Sequence, residues 1–376
     1  MLVNVPTTTL PRRPRRAMLF ATTAVAALLA VASCSQSDGG DSDASSSPST
    51  GPTASAPLPS PFNSDPVTVA LVRQSGAGDY FEAWGQGAQK QAAAANIKLT
   101  VTDARNDNAK QASDLQQAID SKPAAIIVDH GQTDTIAPLV QKAVAAGIPT
   151  IVYDVALPAS VTGYISTSQS DESLAQSVLD QMVKDIGDGQ KVGLVSATGF
   201  APLDRRGAVW KKVVADHELQ QVFFTGKVTE STATDNIPLV DAALKQHPDV
   251  KAIFAPYDEI TKGVVQAVKQ NNLQDKVKVY GIDISNADLE VMTASGSPWV
   301  ATAATDPGQI GAAVVRTIAL KLAGQFDEPS VQFPGVLITQ QALKDQKITT
   351  VGDVVKAEPK LKLDSISVAD WLPNAA

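Results

Sequence analysis

The chain has 376 residues, a formal net charge of −8, one cysteine and three histidines. This length is sufficient for two domains, and the acidic balance argues against a nucleic-acid-binding protein. A single cysteine excludes an intramolecular disulfide. The scattered His130, His217 and His247 lack the spacing of a structural zinc site.

The N-terminal segment has the layout of a bacterial lipoprotein precursor. An uncharged apolar run at 17–32 follows four arginines and ends in Val31-Ala32-Ser33-Cys34. The run is shorter than the roughly 20 residues that span a bilayer, so it predicts a signal peptide over 1–33. Cys34 would then carry a lipid and hold an exported protein at the outer face of the cell membrane. The mature net charge becomes −12 because the four arginines leave with the signal.

The export route stays open, since Arg15-Arg16 loosely resembles a twin-arginine signal as well as an ordinary basic segment. Beyond the cysteine, residues 34–66 consist mainly of Ser, Pro, Gly, Asp, Thr and Ala, with one aromatic residue, Phe62. Such a composition buries too little apolar surface to offset the entropy lost on ordering. The segment therefore predicts a disordered tether.

From Val67 onward, short apolar runs alternate with longer helical patterns. The runs predict strands at 67–72, 98–103, 124–129, 149–154, 191–196, 251–256, 277–283 and 299–305. The intervening patterns predict helices at 80–95, 108–121, 133–145, 170–186, 203–217, 235–246, 259–271 and 308–323. Continuous apolar runs are typical of parallel strands buried on both faces. The predicted fold class is α/β, with two lobes that are each a parallel sheet flanked by helices.

Carboxylates and aromatic residues follow the carboxyl ends of several predicted strands. Asp129, Asp154, Asp283 and the pair Tyr257-Asp258 occupy such positions, and Gln74, Tyr80 and Phe81 follow the first strand. Ligands of open parallel sheets bind beyond these strand ends. Carboxylates accept hydrogen bonds from hydroxyl groups and aromatic rings pack on sugar faces, so the set indicates a polyol site. Helix capping is the competing interpretation, and it is preferred for Asp258.

Several short motifs, in this order, resemble the ribose-type periplasmic sugar-binding proteins of ABC importers. They are Val69-Ala70-Leu71-Val72, Gly87-Ala88-Gln89-Lys90, Asp154, Arg206-Gly207, His247-Pro248-Asp249-Val250, Ala255-Pro256-Tyr257-Asp258-Glu259, Gly281-Ile282-Asp283 and Gln309-Ile310-Gly311. The likeness extends from Val67 to about Thr339. It implies the type I periplasmic-binding-protein fold, with two lobes that close on a sugar around a three-segment hinge.

The resemblance also implies where the lobes and the ligand lie. The expected N-terminal lobe is 67–167 with 306–326, and the expected C-terminal lobe is 168–305 with 327–376. The chain is expected to cross between them near 166–170, 305–307 and 324–328. The expected ligand-binding residues are Gln74, Tyr80, Phe81, Asp129, Asp154, Arg206, Tyr257, Asp283 and Thr305.

Departures from the family pattern leave the ligand open. The family often has Asp-Arg where this chain has Asp154-Val155, an Asn where it has Tyr257, and a Gln where it has Thr305. Fewer amide and guanidinium groups suggest a polyol other than ribose, such as a deoxy-sugar, a sugar alcohol or a larger glycoside. A cationic ligand also stays open, because Asp129, Asp154 and Asp283 outnumber Arg206.

Other classes of protein fit the sequence less well. The glycines after the first strand fail G-x-G-x-x-G because Phe81 takes the third position, and neither a P-loop nor G-x-S-x-G is present. We therefore expect no enzyme, cofactor or metal, and a monomer that passes a sugar to an ABC permease. A co-receptor for chemotaxis or sensor-kinase signalling, and a binder of a nucleoside or amine, stay open as alternatives.

Overall fold

Two six-stranded sheets organise residues 54–376, the part of the chain that the computed structural model describes. The strands are β1 (Val67–Arg73), β2 (Ile97–Asp103), β3 (Ala125–Asp129), β4 (Thr150–Tyr153), β5 (Ile165–Gln169), β6 (Lys191–Val195), β7 (Gln220–Thr225), β8 (Ala252–Ala255), β9 (Lys278–Ile282), β10 (Trp299–Ala304), β11 (Ser330–Phe333) and β12 (Val336–Thr339). The helices are α1 (Asp79–Ala94), α2 (Asn108–Ser121), α3 (Thr133–Ala145), α4 (Asp171–Ile186), α5 (Ala201–Asp216), α6 (Thr232–Gln246), α7 (Asp258–Gln270), α8 (Asn286–Thr293), α9 (Pro307–Leu322), α10 (Gln340–Gln346) and α11 (Val351–Ala357). A 3₁₀ helix follows at Pro359–Lys362.

The N-terminal lobe contains the sheet β11-β5-β4-β3-β1-β2, in which every pair is parallel. Its central strand β3 is buried along its whole length, which explains its unbroken apolar run. One face packs on α1 and α9, and the other face packs on α2 and α3. The carboxyl ends of β1, β3 and β4 therefore meet at one edge of this sheet.

The C-terminal lobe repeats the plan with the sheet β12-β10-β9-β8-β6-β7. All pairs are parallel except β10 with β12. One face packs on α4 and α5, and the other packs on α6, α7 and α8. The predicted fold class, two lobes of parallel sheet flanked by helices, is confirmed.

Two glycines let α1 and α9 approach closely in the N-terminal lobe. A Cβ atom at Gly87 would lie 1.9 Å from the carbonyl oxygen of Gly308, and one at Gly311 would lie 2.0 Å from that of Trp84. No side chain fits at either position, so the two helix backbones are in direct contact. This contact fixes the start of α1, which carries Tyr80 and Phe81 to the edge of the sheet.

The chain passes between the lobes at three places near the cleft. The first is Ser170, between β5 and α4, and the second is 305–306, between β10 and α9. The third is 334–335, because β11 pairs with β5 in one lobe and β12 pairs with β10 in the other. The third crossing was expected at 324–328, which instead precedes a strand of the N-terminal sheet that the sequence did not reveal.

The C-terminal residues return to the N-terminal lobe, which differs from the expected assignment of 327–376 to the C-terminal lobe. Leu361 packs in the core of the C-terminal lobe, whereas Leu363, Trp371 and Leu372 pack in that of the N-terminal lobe. Arg316 on α9 fixes this tail, because its guanidinium donates to the carbonyl oxygens of Leu363 and Ile366. A fourth passage between the lobes therefore lies at 362–363.

Residues 54–66, expected at the end of the disordered tether, also pack on the N-terminal lobe. Phe62 is fully buried, with its ring stacked 5.4 Å from that of Trp371. The backbone N–H groups of Ser55 and Ala56 donate to the carbonyl oxygen of Asp370. The expectation of disorder is wrong for this stretch, because one aromatic ring and a backbone pairing order it.

The predicted signal peptide at 1–33, Cys34 and the remainder of the tether lie outside the described residues. Within 54–376, none of the helices is long and apolar enough to cross a membrane.

Candidate functional site

An inner cavity lies between the lobes at the carboxyl ends of their strands, with a cavity volume of about 50 Å³. The cavity is lined by Gln74, Tyr80, Phe81, Asn106, His130, Gln169, Phe200, Pro202, Leu203, Arg206, Val228, Tyr257 and Asp283.

Aromatic rings form one wall of the inner cavity. Gly78, with φ 95°, is the residue that precedes α1, so Tyr80 and Phe81 lie in the first turn of the helix. The hydroxyl of Tyr80 is hydrogen-bonded to that of Tyr153. Burial, followed by the negative charge of Asp283, raises the pKa of Tyr80, so its hydroxyl stays protonated. The ring of Phe81 meets that of Tyr257, from the other lobe, edge to face at 6.3 Å. The wall thus contains rings from both lobes.

Arg206 contributes a charged donor from the C-terminal lobe. Its Nε donates to Asp171 (2.7 Å), and its Nη1 donates to the carbonyl oxygen of Pro256 (2.6 Å) and to Asp283 (3.3 Å). Burial alone would lower the pKa of Arg206, but the carboxylates of Asp283 and Asp171 outweigh it and raise that pKa. Its Nη2 is buried and has no partner among the described residues. An arginine donor is therefore available to an oxygen atom of a bound molecule.

Asp283 and Gln169 are held together at the second crossing. Thr305 donates its hydroxyl to Oε1 of Gln169 (2.7 Å), so the amide nitrogen of Gln169 points to Asp283, at 3.4 Å. Asp283 follows β9 with φ 81°. Burial raises the pKa of Asp283, although Arg206 opposes the shift. The result is an acceptor and an amide presented together between the lobes.

His130 is oriented by a carboxylate behind the cavity wall. Asp129 accepts from Nδ1 of His130 (2.7 Å) with one oxygen and from Nε of Arg73 (2.6 Å) with the other. Burial would raise the pKa of Asp129, but the charge of Arg73 and the bond from His130 lower it overall. Nε2 of His130 lies 4.0 Å from Oδ2 of Asp154. The histidine ring therefore stands between two buried carboxylates.

An ion-pair network joins the lobes beside His130. Arg205 on α5 binds both Asp154, at the end of β4, and Asp171, at the start of α4. Burial, followed by the negative charge of Asp171, raises the pKa of Asp154 to about 6. Asp154 is followed in the sequence by Val155, which has no guanidinium group. Arg205, from the opposite lobe, provides the guanidinium that contacts Asp154 instead.

Six of the nine predicted site residues line the inner cavity: Gln74, Tyr80, Phe81, Arg206, Tyr257 and Asp283. The other three, Asp129, Asp154 and Thr305, lie behind the wall, where they bind His130, Arg205 and Gln169. Their direct contact with a ligand stays a prediction, whereas their contacts with the lining side chains are part of the structure.

Sequence reasoning missed seven lining residues: Asn106, His130, Gln169, Phe200, Pro202, Leu203 and Val228. Five of them follow β2, β3 and β6, strands that the sequence predicted, so their positions beyond strand ends were a usable signal. Val228 follows β7, which the sequence did not reveal. Gln169 had no such signal, because its strand β5 was interpreted as a hinge segment.

A two-lobed α/β fold with a cavity between its lobes, beside the crossings, defines a ligand-trapping binding protein. A model of the periplasmic binding protein domain matches residues 69–326. The chain is 26% identical to the ribose import binding protein of Bacillus subtilis, over 74% of this chain and 89% of the relative. It is 29% identical to the ribose import binding protein of Escherichia coli, over 69% and 86%.

Solved structures are also similar to this chain in sequence and fold. The 5-methylthioribose transporter solute binding protein of Thermotoga lettingae, in complex with 5-methylthioribose, is 32% identical with a TM-score of 0.80, over 84% of this chain and 98% of that one. A sugar ABC transporter protein of Yersinia enterocolitica is 28% identical with a TM-score of 0.80, over 84% and 97%. The chain belongs to the periplasmic binding protein family and, within it, to the ribose-type sugar-binding proteins.

Proposed function

We propose that the protein captures a sugar or sugar-like polyol between its lobes and delivers it to the permease of an ABC importer. The carrying observation is the cavity-lining pair of Arg206 and Asp283, in which the arginine retains a buried donor that has no partner within residues 54–376. A sugar offers both a ring oxygen and hydroxyl groups to such a pair. Tyr80 and Phe81 supply rings for its apolar face.

The lobe contacts support capture by closure. Arg205 and Asp154 join the lobes beside the inner cavity, and Gln169, at the end of β5 in the N-terminal lobe, bonds to Asp283 in the C-terminal lobe. A ligand enclosed by both lobes would stabilise this closed arrangement over an open one. A permease could then recognise the joined surface of the two lobes.

A thermal-shift screen tests the ligand class with monosaccharides, sugar alcohols, purine nucleosides and small amines. Bound ligand stabilises the folded protein by about 2.7 kcal/mol at a hundredfold excess over Kd. A sugar or polyol should raise Tm, and Asp283→Asn should remove the shift. Asp216→Asn, on the exposed part of α5, is the control that should keep it. A shift given only by a nucleoside or an amine would reject the proposal.

Membrane attachment through Cys34 is the second part of the proposal. It is supported by the lipoprotein signal layout and by relatives that are extracytoplasmic importer components. A palmitate analogue should label the full-length chain in cells. Cys34→Ala should lose both the label and membrane retention, and retention of either would contradict lipidation at this residue.

A further inference from the structure

A charged cluster joins the two lobes outside the wall of the inner cavity. Lys262, on α7 of the C-terminal lobe, lies 2.7 Å from Asp79, the first residue of α1 in the N-terminal lobe. The same ammonium group lies 2.6 Å from Glu259 and 3.8 Å from Asp288 on α8. These four residues and Asp258, at the start of α7, are here called the interlobe cluster. One lysine thus faces several carboxylates, one of which belongs to the opposite lobe.

Two carboxylates of the interlobe cluster are fully buried and incompletely hydrogen-bonded. Both oxygens of Asp288 and Oδ2 of Asp258 have no hydrogen-bond partner within residues 54–376. Oδ1 of Asp258 accepts from the backbone N–H of Glu259 (2.8 Å). A buried carboxylate is costly to ionise unless donors surround it, so these positions favour a bound proton.

The charges of the cluster act in the same direction. Burial, followed by the charge of Asp288, raises the pKa of Asp258 well above its ordinary value. Burial also raises the pKa of Asp288 to about 6; Lys262 opposes this shift, whereas Asp79 and Glu259 add to it. The N-terminal lobe, through Asp79, therefore strengthens the hold of Asp288 on its proton.

The neighbouring titratable groups provide no second cation for these carboxylates. Asp283, in the wall of the inner cavity, further raises the pKa of Asp258. The phenol of Tyr257 stays protonated, because burial, followed by the charge of Asp258, raises its pKa. On α10, which also packs on α8, Lys344 and Asp345 are exposed and bond within their own helix. The balance of charge therefore depends on how the ammonium group of the cluster is shared.

Opening of the lobes would change that sharing. Asp79 would leave both Lys262 and Ser285, whose hydroxyl now donates to it (3.1 Å). A like charge would then be removed from Asp288, and Lys262 would be released to pair with it more closely. Both changes favour the ionised form of Asp288. Its proton is therefore held more tightly when the lobes are closed than when they are open.

We propose that closure of the lobes is coupled to the uptake of a proton by Asp258 and Asp288, so that mild acidification favours the closed arrangement. This inference rests on the proposed function, in which closure is the capture step. The coupling is fully present below the pKa of the open form. It is lost as the pH rises through the pKa of the closed form, about 6 for Asp288.

Pulsed electron paramagnetic resonance tests the coupling without any ligand. Nitroxide labels at Gln86→Cys on α1 and Gln266→Cys on α7, both exposed positions, measure the distance between the lobes in a Cys34→Ala chain. If closure raises the pKa of Asp288 by about half a unit to one unit, the ratio of closed to open lobes should be roughly twofold to fivefold higher at about pH 5 than at about pH 7.5.

Matched variants assign the effect to the cluster. Asp288→Asn keeps the shape of the side chain without a titrating group, and Asp79→Asn removes the charge of the opposite lobe at a partly exposed position; each should reduce the pH dependence. Glu290→Gln, an exposed carboxylate on α8, is the control and should behave like the parent. A lobe distance that is independent of pH in the parent, or that changes equally in all three variants, would overturn the proposal.

Calorimetric titration separates this inference from the proposed function. Each sugar or polyol that raises Tm is titrated in buffers of different ionisation enthalpy, which gives the protons bound on capture. At about pH 6 the parent should take up roughly 0.3 proton more than Asp288→Asn. Equal uptake would reject the coupling and leave sugar capture standing. If no sugar or polyol bound while the lobe distance still depended on pH through Asp288, sugar capture would be rejected and the coupling would stand.

Discussion

Asp79, the first residue of α1, and Lys262, on α7, form an ion pair of 2.7 Å that joins the two lobes. Ser285 also donates its hydroxyl to Asp79 (3.1 Å), and the backbone N–H of Asp79 donates to Glu259 (3.3 Å). Asp79 lies outside the wall of the inner cavity. These bonds therefore join the two lobes outside the wall of the inner cavity.

Asp79→Ala should accelerate ligand release. A partly exposed ion pair contributes about 0.2–1 kcal/mol, which corresponds to a release rate higher by roughly 1.5- to 5-fold. Surface plasmon resonance with the sugar identified by the thermal-shift screen measures the rate. Glu82→Ala removes a neighbouring exposed charge of α1 that makes no ion pair among the described residues, so it should leave the rate unchanged. Equal rates for the two variants would show that the pair does not stabilise closure.

Asp154 and Asp129, the two carboxylates beside His130, should contribute to the free energy of unfolding in different pH ranges. Burial and Asp171 raise the pKa of Asp154 to about 6, above its unfolded value of about 3.9. The contribution of Asp154 is therefore fully present below about pH 4 and is lost as the pH rises through 6. The pKa of Asp129 is lowered, so its contribution is present above about pH 4 and is lost on further acidification.

Urea unfolding of the parent, Asp154→Asn and Asp129→Asn between pH 3 and 7 tests these signs. The amount by which the free energy of unfolding of the parent exceeds that of Asp154→Asn should decrease by about 1–3 kcal/mol from pH 4 to 7, at 1.4 kcal/mol per pKa unit. Its advantage over Asp129→Asn should stay constant above pH 5 and decrease below pH 4. Parallel curves for the two variants would contradict the opposite shifts.

The sequence predicted the buried centre of each sheet well and the later elements poorly. Strands such as β3 are buried on both faces, so their runs are uniformly apolar. The edge strands β7 and β11 have exposed residues among the apolar ones, and β5 reads Ile-Ser-Thr-Ser-Gln. Their pairing is decided by tertiary context, which local patterns do not contain.

The residues of the candidate site also fall into a group that the sequence predicted and a group that it did not. Tyr80, Arg206 and Asp283 were predicted because a strand end or a family motif marks them. Phe200 follows a predicted strand, β6, but was missed because its side chain has no polar group that marks a ligand site, and Val228 was missed because it follows β7, which was not predicted. The role of Arg205 could not be predicted either, since its partner Asp154 is 51 residues earlier and belongs to the other lobe.

Arg316 should be critical for the C-terminal tail. It is fully buried on α9, and burial lowers its pKa to about 10. Besides the carbonyl oxygens of Leu363 and Ile366, it donates to Gln91 (3.2 Å) and Asn374 (2.8 Å). Arg316→Met leaves these acceptors without the charged donor, so the free energy of unfolding should fall by about 3 kcal/mol. Chemical denaturation measures the change.

Tail mobility gives an independent readout for Arg316→Met. Carboxypeptidase should remove residues after Leu363 faster in this variant than in the parent, because the tail is released. Lys321→Met on the same helix removes an exposed cation 3.4 Å from Asp327 and should change stability by less than about 0.5 kcal/mol. If both variants resisted the protease like the parent, Arg316 would not be what holds the tail.

Phe62 should order the segment that leads from the proposed membrane anchor to the N-terminal lobe. Its ring is fully buried and stacked on Trp371, and Asn96 binds the carbonyl oxygens of Phe62 and Ser64. Phe62→Ala should lower the free energy of unfolding by about 3–5 kcal/mol and expose 54–64 to limited proteolysis. Phe224→Ala, at a half-exposed ring, is the control and should do neither. A segment that stayed protected after loss of the Phe62 ring would show that backbone pairing with Asp370 is sufficient to hold it.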